Sequence, residues 1–290
     1  MSEPWRTILT LLAGLGTGVL SGMFGVGGAV VSTPAIRVLG ATPLESVGST
    51  LPSVIPSAVS GSLRYFRERL IIARVALWTS VAGLGASVGG ALLAGTIPGD
   101  GHVLMLITAG LIAFTAYRLG EAPQSPPPTH SPLDVEDPVG DLARPATDLE
   151  TISEREPVRS EPENRRVETW RLGAIGLAAG GLSGLLGLGG GTIMVPAFAA
   201  WVRLTIKEAV ATSLLCVGAL AVPGTITHAF LGNINWAFAI PLCIAVIPGA
   251  RLGAHLAIRA SARRLRLTVA FGLGIIAIAY AVGEIIALVA

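Results

Sequence analysis

Five long stretches of this chain contain no charged side chain, and they restrict its fold more than any other feature. They are residues 7–36, 75–99, 172–202, 209–250 and 267–283. A helix needs about 20 consecutive apolar residues to cross a bilayer. Only 13% of the 290 residues are charged, against about 25% in soluble domains. The sequence therefore predicts an all-α polytopic membrane protein, with the lipid bilayer as its surroundings.

Between these stretches, residues 121–168 differ sharply in composition. They hold 12 of the 18 acidic residues and 9 of the 19 prolines, a composition typical of a disordered linker. The basic residues elsewhere flank apolar segments, so no nucleic-acid partner is expected. The predicted organisation is a first membrane repeat at 1–120, an acidic, proline-rich linker at 121–168 and a second membrane repeat at 169–290.

The two halves contain the same motifs in the same order. The nine residues LSGMFGVGG at 20–28 correspond to LSGLLGLGG at 182–190, and VGST at 47–50 corresponds to VATS at 210–213. Gly61 then matches Gly224. So many matched positions in order indicate a tandem duplication.

Turn signals divide the apolar stretches into crossing helices, and basic residues indicate their orientation. The helices are predicted at 44–64, 73–95, 102–119, 206–231, 236–258 and 265–288. One basic cluster, Arg64–Arg74, follows the first helix of the first half, whereas the cluster Arg259–Arg266 follows the second helix of the second half. Because basic loops face the cytoplasm, the halves are expected to be inverted, with the N-terminus outside.

Inversion requires an odd number of crossings in each half, so the glycine-containing segments 7–38 and 170–202 should not cross. Each is too long for one span and too short for two. We therefore expect a re-entrant hairpin of two half-helices in each half, broken at Gly25–Gly28 and Gly187–Gly191. Such backbone is tolerated at membrane depth only inside protein or a cavity.

Inverted repeats with broken helices typically bind substrate near the midplane, between the repeats. Helix N-termini at the breaks carry free N–H groups and a positive dipole end, which favour an anion. The predicted backbone donors are Gly27, Gly28, Gly190 and Gly191. The alternative is that these glycines only allow helices to pack closely.

Hydroxyl groups recur on the helix that follows each glycine segment. Ser49 and Thr50 match Thr212 and Ser213, and we predict that both pairs contact substrate. Helix packing through small residues is an equal alternative. The first of these helices carries a serine on one face every third or fourth residue; the set is Ser46, Ser49, Ser53, Ser57 and Ser60.

Arg251 lies within an apolar segment, eight residues before the next arginine, Arg259. Ionisable residues at membrane depth are costly and usually functional, so Arg251 is a further candidate for substrate binding. It could equally extend to the interface.

Chemistry that needs a metal or an activated nucleophile has no support in this sequence. The four histidines form no HExxH motif, and the two cysteines form no CxxC pair. No enzymatic activity, metal or cofactor is therefore expected.

The segments LSGMFGVGGAVVSTPA and LSGLLGLGGGTIMVPA, with ESVGST and EAVATS downstream, resemble the TauE/SafE sulfite exporter family, also called TSUP. PGARLGAHLA in the second half adds to the likeness, which covers 7–288 apart from the linker. The resemblance implies a permease of the prokaryotic cytoplasmic membrane for sulfite, sulfonates or related anions, usually in export.

The favoured hypothesis is a secondary transporter that moves a small anion by alternating access, with a proton or cation as a candidate coupling ion. The alternative is a membrane docking or assembly protein whose acidic linker recruits a partner.

Overall fold

A computed structural model describes residues 3–96, 102–121, 169–187 and 189–289. Over these residues the chain forms ten helices and no strand, which confirms the all-α prediction. All but the first residue of the predicted linker 121–168 lies outside the described residues. The helices are α1 (Glu3–Phe24), α2 (Ala29–Val38), α3 (Pro43–Arg67), α4 (Ala73–Ala94), α5 (His102–Glu121), α6 (Thr169–Leu186), α7 (Gly191–Ala200), α8 (Ile206–Phe230), α9 (Trp236–Arg259) and α10 (Ala262–Val289).

The order of helices α1 to α5 recurs in α6 to α10. Helices α3 and α8 even begin in the same way, at capping boxes formed by Thr42 with Glu45 and by Thr205 with Glu208. In each box the threonine side chain accepts a hydrogen bond from the glutamate N–H, and the glutamate side chain accepts one from the threonine N–H. Two N–H groups that the first turn leaves free are thereby satisfied.

The two helices around each glycine motif have unequal lengths. Helix α1 has 22 residues and α6 has 18, whereas α2 and α7 have 10 each. The long arms therefore measure about 33 and 27 Å and the short arms about 15 Å. The prediction of two half-helices is wrong for the first arm of each hairpin. No proline interrupts residues 7–24 or 172–186, so the helix continues up to the glycines.

Helices α3 and α8 pack on each other and run antiparallel. Gly61 faces Leu214, and Leu51 faces Gly224, so late residues of one helix meet early residues of the other. A Cβ on Gly61 would lie 2.7 Å from Cδ2 of Leu214, and a Cβ on Gly224 would lie 3.5 Å from Cδ1 of Leu51. Both the leucines and the glycines occupy matched positions of the repeat. The same contact thus occurs twice, as in a two-fold arrangement.

Each long arm packs against the fourth helix of the other half, α1 on α9 and α6 on α4. Small residues allow these backbones to approach closely. A Cβ on Gly18 would lie 2.9 Å from the backbone nitrogen of Ala250, and a Cβ on Gly176 would lie 3.1 Å from Cβ of Ala82. Because the pairing crosses between the halves, the described helices of both form one compact unit.

The outer surface of this unit is apolar, as a bilayer requires. Phe271 and Ile278 are among many large apolar side chains that are exposed, whereas the serines of α3 are buried. Helix α3 has 25 residues, which is long enough to cross a bilayer, but its serines lower its mean hydropathy. The chain is a multi-pass membrane protein. The helices long and apolar enough to cross a membrane are Trp5–Phe24, Ala73–Ala94, Ile206–Phe230, Trp236–Arg259 and Ala262–Gly283.

Contacts place the basic clusters of the two halves at the same end of the helices. Near the end of α3, Nη2 of Arg64 lies 3.4 Å from Nδ1 of His255 in α9. At the start of α8, Nζ of Lys207 donates a hydrogen bond of 2.7 Å to the carbonyl of Ile258, near the end of α9. The connections α3–α4 and α9–α10, which carry the two arginine clusters, therefore lie together.

Candidate functional site

Both glycine motifs end a helix with backbone that only glycine adopts readily. The first break is residues 25–28 and the second break is residues 187–190. The φ angles are +68° at Gly25, +73° at Gly27, +67° at Gly187, +75° at Gly189 and +72° at Gly190. A side chain is disfavoured at such angles because its Cβ approaches the following carbonyl oxygen.

The two breaks lie directly against each other. A Cβ on Gly191 would lie 2.6 Å from the carbonyl oxygen of Gly25 and 2.6 Å from Cα of Val26. Gly191 is the first residue of α7, so this contact sets the start of α7 against the first break, after which α2 begins. First-turn N–H groups have no acceptor within their own helix, and the dipole adds positive partial charge there. The first-turn N–H groups of both short arms are therefore candidates for binding an anion.

Two valines, Val54 of α3 and Val217 of α8, fill the space between the breaks. A Cβ on Gly189 would lie 2.6 Å from Cγ1 of Val217 and 3.5 Å from Cγ1 of Val54. A Cβ on Gly27 would overlap Val217 and lie 3.4 Å from Cγ1 of Val54. Both valines are fully buried. Sequence reasoning missed them, although each follows a predicted hydroxyl pair by one helical turn at a matched position.

The recess beside the first break is too small for substrate. It leaves about 10 Å³ of space between α1, α2 and α10, which holds one water at most. Apolar side chains form most of its wall, including Leu20, Phe24, Leu273 and Ile276. A polyatomic anion enters this recess only if the helices separate.

Each break is held by the third helix of the opposite half. Oγ of Ser213 in α8 donates a hydrogen bond of 2.9 Å to the carbonyl of Gly25. On the other side, Gly187 packs against α3, where a Cβ on the glycine would lie 2.9 Å from the carbonyl oxygen of Val47. Val47 and Val210 are matched positions, and Val210 in turn lies against Gly25. The third helix of each half therefore contacts the break of the other half.

The predicted pair Thr50 and Ser213 is fully buried, but the two side chains bond differently. Thr50 Oγ1 donates back to the carbonyl of Ser46 at 3.0 Å and lies 3.3 Å from Oγ1 of Thr33 in α2. Thr50 thus contacts the short arm of its own half, whereas Ser213 contacts the break of the other half.

The other predicted hydroxyls, Ser49 and Thr212, hold the connections between helices. Oγ of Ser49 accepts a hydrogen bond of 2.8 Å from the N–H of Asn235, and Oγ1 of Thr212 accepts one of 3.1 Å from the N–H of Ile72. Asn235 and Ile72 are the N-cap residues of α9 and α4. Both hydroxyls therefore position a helix start of the opposite half.

Two further serines of α3, Ser57 and Ser60, bond to neighbouring helices. Oγ of Ser57 donates to Oγ of Ser21 in α1 at 2.9 Å, and Oγ of Ser60 donates to the carbonyl of Ile247 in α9 at 2.8 Å. In this conformation these two hydroxyls join neighbouring helices.

Arg251 lies apart from the other predicted site residues. Its side chain is exposed on the outer face of α9, while Gly249 and Gly253 of the same helix turn towards α1. The four predicted glycines and four predicted hydroxyl residues are all buried. The structure therefore brings those eight into the interior and leaves the guanidinium outside.

A further matched pair, Tyr65 and His228, supports the long arms just before the breaks. The Tyr65 hydroxyl donates to the carbonyl of Gly22, and Nε2 of His228 lies 3.1 Å from the carbonyl of Gly184. Nδ1 of His228 lies 3.2 Å from the side-chain nitrogen of Asn233. Nδ1 is therefore the acceptor and Nε2 carries the proton. Sequence reasoning missed this pair because the two side chains differ chemically.

Similar proteins match this chain over most of its length. A protein of Xylella fastidiosa (strain Temecula1) named "Probable membrane transporter protein" is 27% identical over 94% of this chain and 95% of its own length. "Probable membrane transporter protein YunE" of Bacillus subtilis is 24% identical over 86% of each chain. YjnA of the same organism, also named a probable membrane transporter, is 24% identical over 91% of this chain and 95% of its own. No solved structure matches the chain.

The sequence model of one family, described as "Sulfite exporter TauE/SafE", matches residues 10–280. That range includes both breaks, both valines and all ten helices at least in part. The chain therefore belongs to the TauE/SafE sulfite exporter family of membrane transporters.

Proposed function

We propose that the chain is a secondary transporter that moves a small anion, sulfite or an organosulfonate, across the prokaryotic cytoplasmic membrane by alternating access. The carrying observation is the contact between the two breaks, which sets the start of α7 against Gly25 and Val26 inside the protein. Such ends bind anions through backbone N–H groups and the helix dipole. The family name supports a sulfur oxyanion as the substrate.

The substrate in this proposal binds at Gly27, Gly28, Gly190 and Gly191. These residues surround the start of both short arms, so each half supplies N–H donors. When the helices separate, four hydroxyls complete the anion's hydrogen bonds: those of Ser49, Thr50, Thr212 and Ser213. Their present backbone contacts are exchanged for substrate in that step.

The antiparallel contact between α3 and α8 supports an inverted relation of the halves in the membrane. In such transporters the halves move against each other around a fixed central site. Val54 and Val217 close the centre here, since both contact Gly27 and Gly189. Separation of the valines towards one side and then the other gives alternating access. A proton or cation is the coupling ion in this scheme.

Uptake by purified protein in liposomes tests the proposal directly. The panel is sulfite, thiosulfate, sulfate, sulfoacetate, taurine and simple carboxylates. We expect a saturable signal for a sulfur anion that is lost in Gly28→Leu and Gly190→Leu. Gly16→Leu is the matched control, because nothing lies within 4 Å of a Cβ at Gly16. No response to any anion, or wild-type flux in both break variants, would reject the proposal.

A further inference from the structure

The second half of α9 presents a row of basic side chains to the outside of the protein. Arg251, His255 and Arg259 are spaced four residues apart, which places them on one face of the helix. Arg251 and Arg259 are exposed and His255 is half-buried. Neither arginine has a hydrogen-bond or ion-pair partner among the residues that the structure describes.

Helix α3 completes this surface from the side. Nη2 of Arg64 lies 3.4 Å from Nδ1 of His255, so Nδ1 is the acceptor and Nε2 carries the proton. Another contact of Arg64, 3.4 Å to the Glu68 carboxylate, leaves its Nε buried without a partner. The surface thus combines three guanidinium groups and an imidazole N–H with a single carboxylate.

The register of α3 and α9 fixes where Arg251 lies. Ser60 bonds to Ile247 and Arg64 contacts His255, so Arg251 lies between these two levels. It precedes Arg259 by about 12 Å along the helix axis. Helical side chains lean towards the N-terminus, which turns Arg251 away from the nearer end of α9. An unpaired guanidinium at such depth is costly.

The neighbouring exposed side chains are apolar. Leu252 and Leu256 of α9 and Val59 and Leu63 of α3 are between 48% and 65% exposed. A ligand for this surface therefore needs an anionic group for the arginines and apolar chains for the residues around them. A soluble anion offers only the first of these.

We propose that a site for an anionic phospholipid lies on the outer surface where α3 packs against α9. It is formed by Arg64, Arg251, His255 and Arg259. The phosphate lies between Arg64 and Arg251, and the acyl chains run along the exposed leucines and Val59. Basic pockets between transmembrane helices bind anionic head groups in this way. The proposal gives Arg251 a partner that a site at the breaks does not supply.

Native mass spectrometry of the purified protein tests this site without any transport measurement. The probes are phosphatidylglycerol, phosphatidylcholine of the same chain length, and soluble glycerophosphate. We expect wild-type protein to retain phosphatidylglycerol selectively. Arg251→Gln and Arg64→Gln should each weaken retention about fivefold. Arg263→Gln, an exposed charge loss at the start of α10, is the control and should match wild type.

Three results would overturn the proposal. They are equal retention of the two lipids by wild type, equal loss in Arg251→Gln and Arg263→Gln, and binding of glycerophosphate as tight as that of the lipid. Arg251 also has a competing prediction as a substrate ligand. If that holds, Arg251→Gln raises the KM for anion flux equally in liposomes with and without phosphatidylglycerol, and lipid retention stays unchanged.

Discussion

The two halves of this transporter share one plan but secure it with different bonds. The carbonyl just before each break accepts a hydrogen bond from the third helix, from Tyr65 in the first half and from His228 in the second. The histidine also bonds to Asn233. Among the described residues, the Tyr65 hydroxyl makes no second bond of this kind. Matched positions thus keep the contact and change the chemistry.

The breaks differ in the same way. Gly28 caps α2 with a right-handed φ of −38°, whereas Gly190 caps α7 with a left-handed φ of +72°. A Cβ on Gly28 would meet the Thr17 side chain, but a Cβ on Gly190 would meet the backbone carbonyl of Ala179. Thr17 and Ala179 are matched positions. At Gly28 a side chain would therefore displace the Thr17 side chain, whereas at Gly190 it would displace backbone.

The largest expected effect separates Gly190→Ala from Gly28→Ala. At Gly190 the left-handed φ costs about 1–2 kcal/mol for a residue with a Cβ, and the backbone overlap adds about 1–3 kcal/mol. We expect Gly190→Ala to lose transport at least about tenfold. Gly28→Ala should lose less, and Thr17→Ala in the same chain should restore most of it. Liposome flux per inserted protein measures both.

This comparison would break if Gly28→Ala and Gly190→Ala lost the same flux and Thr17→Ala restored neither. Thr17→Ala alone is the control for loss of the threonine methyl group. A thermal unfolding curve of each purified variant separates lost folding from lost transport.

The next effect concerns the supports of the long arms. His228→Phe leaves the buried Gly184 carbonyl without this partner, at about 1–3 kcal/mol, and also removes the bond to the half-buried Asn233 amide. Tyr65→Phe keeps the ring and removes only the partner of the Gly22 carbonyl, at about 1–3 kcal/mol. Thermal unfolding in detergent should therefore show the greater loss for His228→Phe. His228→Gln, which can donate and accept, should recover part of it.

An equal loss in Tyr65→Phe and His228→Phe would show that the additional bond to Asn233 contributes nothing. Asn233→Ala provides a direct check, since it removes that bond while leaving the contact with Gly184.

The sequence predicted the class of fold and the positions of the breaks, because both follow from patterns that need no side-chain geometry. Charge-free stretches give the helices, and the duplicated glycines give the positions at which helices stop. The long first arms were not predicted. A glycine inside a helix does not by itself end the helix. Gly14, Gly16 and Gly22 all lie within α1, which continues to Phe24.

The site was predicted only in part, since burial and partners depend on packing between helices distant in sequence. Val54 and Val217 look like ordinary apolar helix residues until Gly27 and Gly189 lie against them. Arg251 looks internal because its segment is apolar, although its face of α9 is the outer one. Val54 and Val217 occupy matched positions of the repeat, and this match could have identified them as a pair.

A smaller effect distinguishes the two hydroxyls nearest the breaks. Ser213→Ala removes the bond to the Gly25 carbonyl of the opposite half, so the first break loses a support. Thr50→Val removes contacts within its own half and keeps the shape of the side chain. We expect Ser213→Ala to raise the KM for anion flux about three- to tenfold and Thr50→Val to raise it less.

Ser53→Ala is the control for this pair, because among the described residues Ser53 bonds only to the Thr50 carbonyl of its own helix. A KM that responds more to Thr50→Val than to Ser213→Ala would place the functional hydroxyl in the first half instead.

The smallest effect tests what the halves share. Ser49 and Thr212 make the same contact, with the N–H of Asn235 and of Ile72. Ser49→Ala and Thr212→Val should each reduce the free energy of unfolding by about 1 kcal/mol, the usual contribution of one hydrogen bond. Chemical denaturation in detergent measures both, and the two losses should agree closely. A loss confined to Thr212→Val would mean that the bond between Asn233 and His228 holds the α8–α9 connection without Ser49. The matched hydroxyls Ser49 and Thr212 would then contribute differently to stability, and the two-fold arrangement would not extend to these bonds.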